Sequence, residues 1–271
     1  MCDSCLIDVR GLDSYYGNRQ VLFDIRVGIP RNRITVIMGM SGCGKTTLLR
    51  HLIGLKPSPP GQLLVDNEDM GQFDPARMSK FRRRIGVLFQ SGALFNSMTV
   101  GENVAVPLKV HTRLSQSTIR IITTIKLHQV GLSEFIDYMP SQLSGGMQKR
   151  AGLARSLVMD PEILFVDEPS SGLDPITAAG LDNLILELRD ALGMTIIVVT
   201  HELDSAFHIA DQMIVLDAGR LLSVGTPQEI RASRDERVAQ FLKRQADPKQ
   251  EDNDAYIKRL VGERSRKVGV Q

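Results

Sequence analysis

The stretch GMSGCGKT, residues 39–46, constrains this chain more than any other. It satisfies the spacing G-x-x-x-x-G-K-[ST] and follows ITVIM, a short apolar, β-branched run that reads as a buried strand. From Lys45 to about Leu55 the pattern is helical, and KPSPPG, whose prolines cannot continue a helix, stops it. A strand that passes through a glycine-rich loop into a helix N-terminus aims several backbone N–H groups at one anion. Gly39, Gly42 and Gly44 let the loop curl. Lys45 then places a point charge on the β- and γ-phosphates of a nucleotide, the Thr46 hydroxyl is a Mg2+ ligand, and Thr47 reaches the phosphates too. Met40, Ser41 and Cys43 complete the loop; the Cys43 thiol reads as structural filler whose alkylation should block nucleotide entry.

The rest of the chain supplies a sheet for that loop. CLIDVRGL and VLFDIRVGIP read as β-rich, and QLLVDNEDM as an edge strand and turn. IGVLF is another buried strand, and from about Thr99 to Met159 the pattern is helical without a strand. The rhythm then resumes: EILFVDEP (strand), TAAGLDNLILELRDAL (helix), MTIIVVTHE (strand), LDSAFHIA (helix), and a hairpin in DQMIVLDAGRLLSVG that turns at Ala218-Gly219. Alternating strands and helices predict a mostly parallel sheet with covered faces, interrupted by a helical insert. Two short helical stretches, PQEIRAS and DERVAQFLKRQ, precede a polar tail whose only apolar anchor is YIKRLVG.

Polar residues stand where those strands end. ILFVDEP finishes an apolar strand with two carboxylates, which a buried strand rarely carries without a cation nearby. Asp167 is placed to hold Mg2+ and Glu168 to act as general base on an attacking water. His201 ends another strand and faces the γ-phosphate; Gln90 ends IGVLFQ, with its amide toward Mg2+ or the attacking water. A second anion site appears in LSGGMQKR, where Ser144, Gly145 and Gly146 open a helix with Met147, Ala151, Ala154 and Val158 on its apolar face.

Composition narrows the partners. The 271 residues allow one large domain or a domain with an appendage, and 42% hydrophobic with 24% charged residues is ordinary for a globular protein. A net charge of only +2 argues against wrapping a nucleic acid. There is no run of the ~20 apolar residues that span a bilayer and no basic region with an apolar core at the N-terminus, so a cytosolic chain is expected. Three cysteines do not make a disulfide framework, and the spacing of Cys2 and Cys5 reads as incidental.

Taken in order, GMSGCGKT, Gln90, LSGGMQ, VDEP, SGLD and the Thr200-His201 pair resemble the ATP-binding-cassette (ABC) ATPases over residues 6–245. The resemblance implies an α/β P-loop NTPase whose mostly parallel core sheet carries an N-terminal antiparallel β subdomain and a helical subdomain inserted at about 91–160; residues 246–271 match no motif and form a C-terminal extension. It implies ATP and Mg2+, with Tyr16 stacked on adenine, Lys45, Thr46, Gln90 and Asp167 on nucleotide or metal, Glu168 as base and His201 as γ-phosphate sensor. It also implies a homodimer. Ser144, Gly145, Gly146 and Gln148 of one copy would meet the ATP of the other, and Ser171, Gly172, Leu173 and Asp174 would form the loop that crosses between them. FQSGALF and DPITA are most similar to the Mla-type ATPases of MCE-protein phospholipid transport systems in Gram-negative envelopes. That implies a multi-span permease, an MCE lipid-binding protein, a small STAS-domain partner and a place on the cytoplasmic face of the inner membrane. The alternatives are the ATPase of a small-solute importer and a soluble ABC ATPase outside transport; the insert is too short for the long coiled coils of DNA-repair types.

Overall fold

The computed structural model describes residues 5–243. Cys2 and residues 246–271, with their YIKRLVG stretch, lie outside the described residues. The elements in order are β1 (Cys5–Tyr16), β2 (Arg19–Pro30), β3 (Ile34–Gly39), α1 (Lys45–Leu52), β4 (Leu63–Val65), β5 (Glu68–Asp69), α2 (Pro75–Arg83), β6 (Ile85–Leu88), α3 (Val100–His111), α4 (Gln116–Gln129), α5 (Gly145–Leu157), β7 (Ile163–Asp167), α6 (Pro175–Leu192), β8 (Thr195–Val199), α7 (Leu203–Ile209), β9 (Gln212–Asp217), β10 (Arg220–Gly225), α8 (Pro227–Arg231) and α9 (Glu236–Leu242). One compact unit runs through Ile230; the segment from Arg231 is a unit of its own and contains α9, which Asp235 caps through the N–H groups of Arg237 and Val238.

The strands of the first unit form two sheets. An antiparallel one has the order β2-β1-β4-β5; a six-stranded one has the order β10-β9-β3-β8-β7-β6. Strands β9, β3, β8, β7 and β6 are all parallel, and β10 returns antiparallel to β9. β3 and β8 are buried along their whole length, as fits β-branched runs covered on both faces. A continuous apolar core joins the two sheets: Ile7, Leu12 and Ile25 from the antiparallel sheet meet Leu48 and Leu52 of α1 and Ile37, Phe165 and Ile197 of the parallel one. Each such fully buried side chain contributes about 1.5–3 kcal/mol.

Three local outcomes differ from the sequence expectation. β1 continues past Leu12 to Tyr16, because β2 keeps pairing with it as far as Tyr16 opposite Arg19. α1 stops at Leu52 rather than near Leu55: Gly54 takes a left-handed conformation (φ 69), and the N–H groups of Gly54 and Leu55 close back on the His51 and Arg50 carbonyls. A helix not singled out from sequence, α2, forms where Asp74 accepts from the Arg77 N–H at 2.7 Å and Pro75 opens the first turn.

Between β6 and β7 the chain forms α3, α4 and α5, joined by loops and short turns, with no strand. Thr99 and Glu102 form a reciprocal cap at the start of α3. Asn103, fully buried, donates to the carbonyls of Phe95, Met98 and Thr99 and accepts from the Phe95 N–H, which pins the loop after β6 onto α3. α5 packs on α3, α4 and β6 and so joins the insert to the sheet edge. Ala151, Ala154 and Val158 are buried at that junction.

Candidate nucleotide site

The parallel register decides what converges. Ile37 is level with Val199, Val199 with Asp167, and Val166 with Leu88. The residues just beyond these strand ends, the phosphate loop, Glu168, Thr200-His201 and Gln90, therefore share one edge of the sheet.

Glycine geometry and one lysine shape the loop. Gly39 has φ 151, and a Cβ there would stand 2.2 Å from the Leu216 carbonyl oxygen, so only glycine fits. Lys45, 8% exposed, curls its Nζ back onto the carbonyls of Gly39 (2.8 Å) and Met40 (3.1 Å). The ammonium is thus held inside the loop. Cys43 is buried, and that burial pushes its thiol up. Its carbonyl accepts from Gly219 N–H at 3.0 Å, and the Gly219 carbonyl accepts from Phe23 N–H at 2.9 Å, so the expected Ala218-Gly219 hairpin turn buttresses the loop from outside.

Burial pushes the Asp167 carboxyl up, and the neighbouring Glu168 charge adds to this, while Lys45 and Arg50 oppose it. Glu168 sits at φ 50, a left-handed backbone that a non-glycine residue keeps only when its surroundings hold it. Its Oε2 is 2.8 Å from His201 Nδ1 and 3.4 Å from Thr200 Oγ1. An ionised carboxylate only accepts, so Nδ1 carries the proton in this pair. The structure thus brings Glu168 and His201 into direct contact.

Gln90 Nε2 donates to Ser171 Oγ at 3.1 Å, tying the segment after β6 to the loop before α6. In that loop Gly172 is left-handed, Leu173 N–H bonds the Ser170 carbonyl, and Asp174 caps α6 through the N–H groups of Ile176 and Thr177; the Thr177 side-chain hydrogen bond, with those N–H groups, holds its carboxyl below the usual range. Tyr16 ends β1 and is 45% exposed. Its hydroxyl accepts from Arg50 at 3.1 Å, Lys56 Nζ stands 4.0 Å over the ring, and the hydrogen bonds from Arg50 and Thr47 lower the phenol pKa.

Ser144 is the N-cap of α5, accepting from the Met147 N–H at 3.3 Å, and Ser144 and Gly145 are exposed. Gln148 turns inward: its amide donates to the carbonyls of Pro140 and Leu143 and braces the helix start instead of presenting itself outward. Gly146 is buried where a Cβ would meet Thr177 Cγ2 at 2.4 Å, so α5 begins in direct contact with α6. Sequence reasoning missed Lys149, Arg50 and Lys56. Lys149 carried a usable signal, since it shares the helical stripe Gly146, Lys149, Leu153, all buried. Arg50 and Lys56 carried none, because their contacts with Tyr16 are long-range.

Comparison with known proteins agrees with this geometry. The family model described as "ABC transporter" matches residues 22–171. The intermembrane phospholipid transport system ATP-binding protein MlaF of Escherichia coli (strain K12) is 44% identical over 237 residues, 88% of either chain. MlaF of Haemophilus influenzae is 40% identical over 242 residues, 89% of this chain and 92% of that one. The probable ribonucleotide transport ATP-binding protein mkl of Mycobacterium leprae is 41% identical, over 87% of this chain and 68% of its own. Among solved structures, cbiO1 of Clostridium perfringens, part of the ABC transporter complex cbiONQ, superposes with a TM-score of 0.79 at 31% identity, over 86% of this chain and 92% of that one. The dimeric cassette MJ0796 bound to ADP and Pi superposes at 0.74 with 29% identity, over 82% and 98%. With the phosphate loop, the acidic strand end and the serine-capped helix all in the fold that such cassettes share, this chain belongs to the ABC transporter family and is an ATP-binding cassette ATPase.

Proposed function

We propose that this chain hydrolyses ATP to drive phospholipid movement between membranes, as the cytoplasmic subunit of an inner-membrane transport complex. The observation that carries the reading is 40–44% identity, along nearly nine-tenths of the chain, to ATP-binding proteins named for intermembrane phospholipid transport. Among the described residues no helix is long and apolar enough to cross a membrane, so a membrane-spanning permease is a required partner in this reading. An MCE lipid-binding protein and a small STAS-domain protein complete the complex. Residues 6–245 serve as the cassette, with the helical subdomain at about 91–160 as its permease-facing part.

In the site, the loop from Gly39 to Gly44 with Lys45 and Thr47 holds the phosphates, and Tyr16 stacks on adenine. Thr46, Gln90 and Asp167 fit a hard divalent cation: a hydroxyl, an amide oxygen and one half-buried carboxylate leave room for phosphate oxygens and waters, as Mg2+ prefers. The half-buried Asp167 carboxyl beside Glu168 is a charge that such a cation stabilises. When bound, Mg2+ supplies charge neutralisation on the β- and γ-phosphates. Glu168 orients and deprotonates the attacking water, and His201 holds the Glu168 carboxylate until the γ-phosphate competes for the imidazole.

Two copies face each other head to tail. Ser144 and the exposed N-terminus of α5 in each copy then close over the γ-phosphate held by the other, with Gln148 bracing that terminus and residues 171–174 lying at the crossing. The dimeric cassette bound to ADP and Pi supports a dimer. The test is purification of the complex from native membranes at natural abundance, with mass spectrometry of chains and lipids. Phospholipid and a permease co-purifying with the chain support the reading; a permease complex without lipid, transporting a soluble compound, overturns it. The 41% relative named for ribonucleotide transport makes a small-solute cargo the second reading, and the same experiment separates the two.

A further inference from the structure

One buried cation plays no part in the site as drawn so far. Lys149 lies in the second turn of α5 and is 6% exposed. Its Nζ donates to three backbone carbonyls: Pro169 and Ser171 at 2.6 Å each, and Glu168 at 3.2 Å. An ammonium has three N–H groups and accepts nothing, so these bonds use all of them. Burial pulls the Lys149 pKa down while the Glu168 charge opposes the shift. A buried ammonium held by carbonyl dipoles is costly to install, and a glutamine or leucine would fill a helix stripe more cheaply.

The carbonyls are not an arbitrary set. They span the segment that carries the general base and begins the crossing loop. Glu168 itself is in the left-handed region, φ 50, and its N–H is tied to the Val199 carbonyl at 2.8 Å. Lys149 secures the other side of the same residue, so the two contacts together fix where its carboxylate points. Two turns or less along the same helix, Ser144 caps the N-terminus assigned to the partner's nucleotide. Ser171 is held from two directions, its carbonyl by Lys149 and its hydroxyl by Gln90.

We propose that Lys149 is a positioning residue that couples the two ATP sites of the dimer, by locking the Glu168–Ser171 backbone, which serves one site, to the N-terminus of α5, which serves the other. The inference rests on the head-to-tail reading above. A shift of α5 as Ser144 closes on one nucleotide is transmitted through the ammonium to the base that acts on the other.

The test uses the full-length chain: steady-state hydrolysis across ATP concentrations for the parent, Lys149→Met and Lys149→Arg, and ATP-driven dimerisation of Glu168→Gln with and without Lys149→Met. Expected for Lys149→Met are ATP affinity of the monomer within about twofold of the parent, since Lys149 touches no phosphate, and a kcat lower by roughly 10²-fold, the cost of a misplaced catalytic group. The Hill coefficient should fall from about 2 toward about 1 as coupling is lost. Lys149→Arg, which keeps charge and donors, should recover most of the cooperativity; a role in folding alone would not move the Hill coefficient. If Lys149→Met does not fold, Lys149→Gln carries the same comparison with two donors on a shorter arm. A parent that is cooperative while the folded Met or Gln variant is equally cooperative overturns the coupling role and leaves the dimer reading standing. A Glu168→Gln chain that stays monomeric with ATP, beside a non-cooperative parent, overturns the dimer reading and the coupling role with it.

Discussion

Acid should destabilise this protein through one histidine, and the size of the effect follows from the structure. His51, on α1, is 1% exposed and its Nε2 is 2.8 Å from the Ser14 hydroxyl. Burial, helped by the positive charge of Lys56, pulls its pKa from the ordinary 6.5 to about 4. Above pH 7 the ring is neutral in both folded and unfolded chains and contributes no pH dependence. As pH falls through 6.5 the unfolded chain takes up the proton and the folded chain does not, so stability is lost at about 1.4 kcal/mol per pH unit. The loss levels off below pH 4, where the folded state protonates as well. At pH 5 it amounts to about 2 kcal/mol, a substantial share of the ~5–15 kcal/mol that holds a typical domain together. Urea unfolding of the parent and of His51→Gln, each at pH 8 and pH 5, isolates it. Glutamine keeps a polar contact for Ser14 but does not titrate, and all other ionisable groups cancel in the comparison. The drop in stability between the two pH values should be about 2 kcal/mol smaller in the variant. An equal drop in both proteins refutes the assignment.

Other outcomes concern the site. Lys45→Ala should lower ATP affinity by roughly 10- to 100-fold through loss of charge-assisted hydrogen bonds; isothermal titration showing unchanged affinity would remove the phosphate-loop assignment. Glu168→Gln should still bind ATP but hydrolyse it about 10²–10⁴-fold more slowly, accumulating a closed dimer by light scattering; normal turnover would exclude it as the base. Ser144→Arg should abolish hydrolysis while leaving ATP binding to the monomer intact, and a collapse of monomer binding would place that serine in its own chain's site. Cys43, buried with its thiol pushed up, should react with iodoacetamide far more slowly in the native protein than in urea; equal rates would contradict its burial.

Much of the architecture was legible because it was local. The run ITVIM, the acidic end of ILFVD and the Ala218-Gly219 turn each declare their structure within a few residues, and each stands where expected. The parallel sheet then brings their ends together without further instruction. What escaped was non-local or depended on a cap: α1 ends three residues early because Gly54 is left-handed, a matter of backbone angle rather than composition. α2 was overlooked although Asp74-Pro75 is a good helix start, because its charged body has only Phe81 to bury. Of the candidate site, the residues proposed to bind or react are readable by type and spacing. The residues that hold them were not: Lys149 reaches carbonyls about twenty positions away, and Lys56, just after α1, reaches Tyr16 at the end of β1.

The hairpin turn behind the phosphate loop also sets a schedule. β3 lies between β8 and β9, both made late, and the Cys43 carbonyl waits for the N–H of Gly219. At about 5–20 residues per second of synthesis, the loop leaves the ribosome roughly ten to forty seconds before its wall exists. Until β8 and β9 are made, the central strand lacks both of its neighbours in the sheet. The outer wall of the loop is therefore completed near the end of translation of this unit, when β9 and β10 join the sheet.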